Sequence, residues 1–343
     1  MEYRMLGRSG CVVSSFALGS MTFGRESDEA TCFAQLDRFV ESGGNLIDTA
    51  DVYAAGASEQ VIGRWFSSRP KETRRNVVLA TKGRFSTGGA HNDLGLSRKH
   101  LASALEDSLR RLCVETIDLY QVHAYDPLTP IEETLRFLDD AVRAGKIHYL
   151  GLSNFAAWQL QKAIDVADAK NLTRPISLQP QYNLLVREIE WEIVPACQAE
   201  GLGLLPWSPL GGGWLTGKYR RDKRPTGQTR LGENPNRGVE AYEGRNRRER
   251  TWDVLDALRT IAETRGITMA QVALSWVVDR PAVSSVILGA RTLEQLESNL
   301  GAADVHLSQE ETDELDRASD PGAADYPYGR PGIEQRTREI AGS

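Results

Sequence analysis

The chain has 343 residues, 41% hydrophobic and 26% charged, with a formal net charge of -6. That length suits one large α/β unit or two smaller ones, and a mildly acidic chain without a basic block argues against nucleic acid as the main partner. No stretch approaches the roughly 18 apolar residues of a membrane helix, and no long apolar run follows Arg4 and Arg8, so neither a membrane span nor a secretory signal is expected and the cytoplasm is the expected location.

In chain order, residues 2–6 alternate, Gly7-Arg8-Ser9-Gly10 turns, and Cys11-Val12-Val13 resumes, which reads as a hairpin ahead of the main fold. Phe16–Gly19 is a first short strand. Asp28 caps a helix carrying Phe33, Leu36 and Val40, which Gly43-Gly44 stops. Asn45–Ala50 is the second strand, and a helix starts near Ser58. Val77–Lys82 is the third strand, followed by a Ser97-capped helix with Leu101, Leu105, Leu109 and Leu112 on one face. Ile117–His123 is the fourth strand, and a helix from Pro130 to Gly145 follows. Ile147–Leu152 is the fifth, with a helix over 156–169. Ile176–Gln179 is the sixth, with a helix over about 189–200. Gly203–Trp207 is the seventh.

Leu210 to about Arg245 is Gly-rich, charged and aperiodic, and a connection of that length is usually functional. Helices over 246–265 and 268–279 lead to an eighth strand, Val283–Leu288. Thr292 then caps a helix, and Ser308 opens a last one as a capping box. Nothing in the composition marks a boundary, so the chain reads as one domain over 1–343 whose tail from residue 320 lies on the surface or frays.

Eight strands, nearly all followed by helices, have the count and order of a (β/α)8 barrel. The alternative is an open doubly wound sheet, whose dinucleotide form needs G-x-G-x-x-G after its first strand; Phe16–Gly24 has no such spacing. Gly212-x4-Gly217-Lys218 nearly spells a phosphate-binding loop, but Tyr219 stands where Ser or Thr would bind magnesium. Cys11, Cys32, Cys113 and Cys197 are far apart, and the five histidines form no close ligand motif, so neither disulfides nor a metal is expected.

Asp48, Tyr53, Lys82 and His123 stand at or just past the ends of strands two, three and four. In a barrel those ends share one mouth. Acid, phenol, ammonium and imidazole together suit carbonyl reduction, in which hydride adds to carbon and the oxygen takes a proton. Tyr53 is the candidate proton donor, Lys82 the cation that favours its ionisation, Asp48 the partner of Lys82, and His123 the group that orients the substrate oxygen. Each alone has an ordinary structural explanation. Four at consecutive strand ends are harder to dismiss.

Gly43 to Tyr53, Ala80-Thr81-Lys82, Leu119 to His123 and Gly145 to Phe155 resemble the signatures of the aldo-keto reductase superfamily. Asp126 to Leu135 resembles its aryl-alcohol dehydrogenase-like branches and the voltage-gated potassium channel beta subunits. The resemblance implies an NAD(P)H-dependent carbonyl reductase with Tyr53, Asp48, Lys82 and His123 as its tetrad. The channel-like branch leaves an alternative, a nucleotide-binding regulatory subunit of low turnover. In much of the family a bulky aromatic follows the histidine; here Ala124 does, so substrate preference does not carry over.

For the cofactor, Ser153, Asn154 and Gln179 offer donors and acceptors to a nicotinamide amide, a role the resemblance assigns them. The resemblance also places Trp207 against the nicotinamide, and Gln295 and Asn299 at the adenosine end, where Ser298 replaces the usual Glu. Ser208, Leu210, Gly213 and Lys218 are suited to the pyrophosphate. At Gly289-Ala290-Arg291 a helix begins, and Arg291 is the candidate ligand for a 2'-phosphate, which favours NADP over NAD. Phe23, Tyr53, Phe85, Tyr125 and Trp214 are candidates for an aromatic-lined pocket for an apolar or aromatic aldehyde. The expected partners are the cofactor and a small carbonyl compound; the oligomeric state is not legible.

Overall fold

Short apolar segments separated by capped amphipathic helices leave each strand with both faces to cover, and closing the sheet on itself solves that problem. In the computed structural model, which describes residues 1–227, 229–236, 238–335 and 337, this is the arrangement. An antiparallel hairpin, β1 (Tyr3–Met5) and β2 (Val12–Ser14), comes first. The parallel strands are β3 (Phe16–Gly19), β4 (Leu46–Asp48), β5 (Val78–Gly83), β6 (Ile117–Val122), β7 (Ile147–Ser153), β8 (Pro175–Gln179), β9 (Gly203–Leu204) and β10 (Val286–Leu288). They pair in the order β10-β3-β4-β5-β6-β7-β8-β9. A parallel bridge between Leu204 and Val283 joins the two ends, with Leu204 N–H donating to Ala282 O at 2.7 Å and Ser284 N–H to Leu204 O at 2.9 Å. The eight-stranded barrel and its hairpin are as expected.

The hairpin covers the end of the barrel where the strands begin. Leu6, Cys11 and Val13 pack with Ala17, Leu46, Ala80 and Leu119 in a small inner cluster. Gly7 is required there: its φ is +57°, and a Cβ would stand 2.4 Å from Ile176 O and 2.7 Å from Gly201 O. The larger core lies between sheet and helices. Asp28, Ser97, Thr268 and Ser308 each accept a backbone N–H at a helix start, as their positions predict.

Several expectations need correcting. The seventh strand was expected to reach Trp207 but ends at Leu204, because Pro206 brings no N–H to a ladder. The helix expected over 189–200 is a 3-10 turn, Glu188–Glu190, followed by Ile193–Glu200. A short helix, Lys71–Asn76, precedes β5. The long loop after β9 is not structureless. It contains helical turns at Gly211–Thr216, Arg230–Glu233, Gly238–Glu240 and Tyr242–Asn246, and its buried aromatics join the main core. There Trp214 stacks on Tyr242 (5.5 Å between ring centroids, 12°) and meets Tyr219 edge-on at 5.1 Å. In the tail, Tyr328 stacks on Trp191 and a helix spans Arg330–Glu334; the expectation for the rest of the tail, at 336 and 338–343, lies outside the described residues. No helix among the described residues is long and apolar enough to cross a membrane.

Candidate active site

Asp48 ends β4, Lys82 lies in β5 and Gln121 in β6, each turned to the barrel interior. Lys82 is fully buried, and an isolated ammonium there would be prohibitive. It is instead fully engaged. Nζ donates to Asp48 Oδ2 at 2.6 Å, to Thr49 O at 2.8 Å and to Tyr53 OH at 3.3 Å. The other carboxylate oxygen, Asp48 Oδ1, accepts from Gln121 Nε2 at 3.0 Å and from Gln179 Nε2 at 2.9 Å. Sequence reasoning missed Gln121. Its only signal was a polar side chain on the inward phase of the strand, two residues before His123.

Tyr53 follows β4 in a turn that needs left-handed backbone at three successive residues: Ala54 (φ 48°), Ala55 (φ 53°) and Gly56 (φ 90°). Helix Ala57–Ser67 starts there, and its Ser58 Oγ anchors it to Ser20 O at 2.9 Å and to Thr49 Oγ1 at 3.0 Å. The turn thus fixes the phenol against Lys82, whose Nζ is 4.9 Å from the ring centroid.

Burial shifts all three titratable partners. It raises the pKa of Tyr53; Lys82 pulls the other way, as the sequence suggested, but does not outweigh it. The phenol therefore holds its proton at neutral pH. Burial lowers the Lys82 ammonium, yet Asp48 and Tyr53 more than compensate and its pKa lies above the ordinary value. Burial, with Lys82 and Arg84 adding to it, pushes His123 down to about 2, so its imidazole is neutral. His123 Nδ1 has no hydrogen-bond partner among the described residues, and its ring packs edge-on against Phe85 at 4.7 Å and Tyr53 at 5.9 Å.

Asp48, Tyr53 and His123 face a cavity of about 960 Å³, with Lys82 behind them. Every residue expected to hold a cofactor lines that cavity. Ser153, Asn154, Gln179 and Trp207 form one part of its wall, where Asn154 Nδ2 donates to His123 O at 2.9 Å and Trp207 Nε1 to Asn154 Oδ1 at 3.0 Å. Ser208, Leu210, Gly213 and Lys218 form a second part, and Gly289, Arg291, Gln295 and Asn299 a third. Ser153 Oγ donates to Gln179 O at 2.9 Å, and Gln295 Oε1 accepts from Arg291 N–H at 2.9 Å.

This wall fits an extended dinucleotide. Gly213 has a φ of +95°, a backbone conformation that side chains rarely adopt, and its bare Cα lies beside the Lys218 ammonium. Burial lowers the Lys218 pKa, and Arg291 and Arg230 lower it further, because three cations gather at one part of the cavity. Arg291, expected to await a phosphate, is already paired: Nε lies 2.6 Å from Glu26, and its two terminal nitrogens lie 2.8 and 2.9 Å from Glu233. Glu240 also enters the wall, accepting from Ser208 Oγ and, at 3.2 Å, from Gln181 Nε2. Glu233 and Glu240 come from the aperiodic loop, where no pattern announced them.

Two of the aromatics expected at a substrate pocket are elsewhere. Phe23 and Trp214 are both fully buried in the main core. Phe85 lies on His123, and Tyr125 packs between Phe155 at 5.4 Å and Trp158 at 5.6 Å.

Comparison with known proteins agrees with this geometry. The model of the aldo/keto reductase family matches residues 15–320. An uncharacterized oxidoreductase, YrpG, of Bacillus subtilis is 36% identical over 90% of this chain and 93% of its own. A probable voltage-gated potassium channel subunit beta of rice is 38% identical over 89% of this chain and 92% of its own. Versiconal hemiacetal acetate reductase of Aspergillus parasiticus is 32% identical over 94% and 98% respectively. With a barrel, an ionic centre at its strand ends and matches spanning nearly the whole chain, this protein belongs to the aldo/keto reductase family of NAD(P)H-dependent oxidoreductases.

Proposed function

We propose that the protein reduces the carbonyl group of aldehydes or ketones, apolar or aromatic aldehydes above all, using NADPH in preference to NADH. The observation that carries this reading is the position of Lys82, which touches Asp48 and Tyr53 at once where Tyr53 and His123 face the cavity. NADPH, when bound, supplies the hydride. Tyr53 delivers the proton to the carbonyl oxygen. Its phenol is protonated at rest, and Lys82, held by Asp48, stabilises the phenolate it becomes. Neutral His123 donates a hydrogen bond to the same oxygen and orients it. Ser153, Asn154, Gln179 and Trp207 position the nicotinamide. Ser208, Leu210, Gly213 and Lys218 hold the pyrophosphate, and Gly289, Arg291, Gln295 and Asn299 hold the adenosine end. The cations Lys218, Arg230 and Arg291 favour the extra phosphate of NADPH.

A panel of aldehydes and ketones, followed by oxidation of NADPH and separately of NADH, tests the proposal. Turnover of aromatic aldehydes with NADPH is the expected result; no carbonyl-dependent oxidation of either cofactor across the panel would reject it.

A further inference from the structure

One cation close to His123 is explained neither by the ionic centre nor by the cofactor wall. Arg84 follows β5 directly, two residues after Lys82, beside His123 rather than beside Lys218, Arg230 and Arg291. Its guanidinium carbon lies 4.9 Å from the centroid of Phe85, whose ring in turn lies 4.7 Å from that of His123, so one aromatic ring contacts both guanidinium and imidazole. Arg84 Nη2 reaches only a weak acceptor, Tyr125 O at 3.4 Å. Nε is buried without a hydrogen-bond partner among the described residues.

Among the described residues Arg84 forms no ion pair, whereas the similarly enclosed Arg69, Arg74, Arg111 and Arg187 each hold a carboxylate. Asp126 feels the charge of Arg84 but is occupied by Leu96 N–H at 2.9 Å, Leu128 N–H at 3.0 Å and Thr129 Oγ1 at 2.7 Å. With Asp126 near but spent on those three hydrogen bonds, the Arg84 guanidinium has no direct ion-pair partner for its planar fork. An anion arriving with the substrate would supply one.

We propose that Arg84 is a substrate-recognition residue, and that the preferred substrates of the reduction described above are aldehydes bearing a carboxylate at the far end of a flat, aromatic body. The proposal rests on that reading of the site and names its substrate class. The carbonyl sits at Tyr53 and His123, the aromatic body lies along Phe85, and the carboxylate meets the planar fork of Arg84, whose geometry matches it. Tyr125, whose carbonyl Arg84 reaches, and the exposed Trp158, 5.6 Å away, supply further aromatic surface beside the guanidinium. The carboxylate takes no part in the chemistry; it binds and aligns.

The test uses the purified full-length enzyme with NADPH. kcat/KM is measured for 4-carboxybenzaldehyde and for its methyl ester, which has the same shape without the charge, with wild type, Arg84→Gln and Arg84→Lys. The wild type is expected to prefer the acid by about ten- to a hundredfold, the range of one charge-assisted contact. The preference should disappear in Arg84→Gln, mainly through KM, survive in part in Arg84→Lys, and shrink as salt is raised. An acid-to-ester ratio near one in the wild type, or an unchanged ratio in Arg84→Gln, overturns the proposal. If the glutamine variant does not fold, the wild-type ratio and the competition of 4-hydroxymethylbenzoate against the ester decide it. Equal turnover of acid and ester removes the role of Arg84 but leaves carbonyl reduction standing; turnover of neither, nor of any other carbonyl, removes both.

Discussion

Arg291 and Glu233 meet in a two-pronged ion pair, Nη1 to Oε1 at 2.8 Å and Nη2 to Oε2 at 2.9 Å, that ties the long loop after β9 to the helix start after β10. Glu26 holds the remaining nitrogen. The pair surrounds with carboxylates the group best placed to bind a 2'-phosphate. Replacing Arg291 by Ala should weaken NADPH by roughly ten- to a hundredfold while NADH changes little, since only the phosphate of NADPH is lost from the comparison. Glu233→Gln should shift the ratio the other way, by freeing the guanidinium. Fluorescence titration with both cofactors measures this, and equal losses in Arg291→Ala would make the residue a clasp for the loop only.

The same clasp bears on how the cofactor enters and leaves. The loop's aromatics Trp214, Tyr219 and Tyr242 are anchored in the main core, and Glu233 and Glu240 attach it to the cavity wall. A dinucleotide lying beneath it should hold it closed, so NADPH is expected to protect sites within 217–245 from limited proteolysis, and loop opening to limit turnover. Fragments read by mass with and without NADPH give the answer; the same cutting rate in both would exclude closure over the cofactor.

Tyr53→Phe removes one oxygen from a turn that is otherwise held by backbone and by Ser58. Fold and NADPH binding should be kept while turnover falls on the order of 10²–10⁴-fold, the usual contribution of a general acid. Parallel measurement of aldehyde reduction and NADPH binding separates the two effects. Near-normal turnover would mean that another group supplies the proton.

Asp51 predicts a pH dependence of stability. It is buried within reach of the charges of the Glu59–Arg111 ion pair, and its carboxylate oxygens have no hydrogen-bond partner among the described residues. Burial first and Glu59 second push its pKa to about 7, against the pull of Arg111 and Lys82. An unfolded Asp titrates near 3.9, so between about pH 4 and 7 the folded chain binds more protons than the unfolded one, and this group's contribution to stability falls as pH rises. The full loss is at most about 4 kcal/mol. His123 acts with opposite sign: held near 2 in the fold, it costs stability as pH falls below about 6.5. Comparing wild type with Asp51→Asn isolates the first effect. Urea midpoints at pH 5 and pH 8 should show the wild type losing more stability on going to pH 8 than the variant; parallel behaviour would show that Asp51 bears no such penalty.

Much of this site could be read from local pattern. Asp48 closes an apolar strand, and Lys82 and His123 stand at the ends of the next two; strand periodicity and the order of elements are enough to bring them to one mouth, because parallel strands in a barrel end on the same side. Helix starts at Asp28, Ser97, Thr268 and Ser308 were legible for the same reason, since a cap acts within three residues of itself. The tertiary structure decided what depends on distant neighbours. Gln121 and Gln179 converge on Asp48 Oδ1 from strands that share no sequence relation. Burial, which no local window contains, outweighs Lys82 at Tyr53. Trp214 is drawn into the main core beside Tyr219 and Tyr242 rather than toward substrate, and Glu26 and Glu233 reach Arg291 from opposite parts of the chain. Side-chain partnership and desolvation belong to the packed chain, and periodicity carries no record of either.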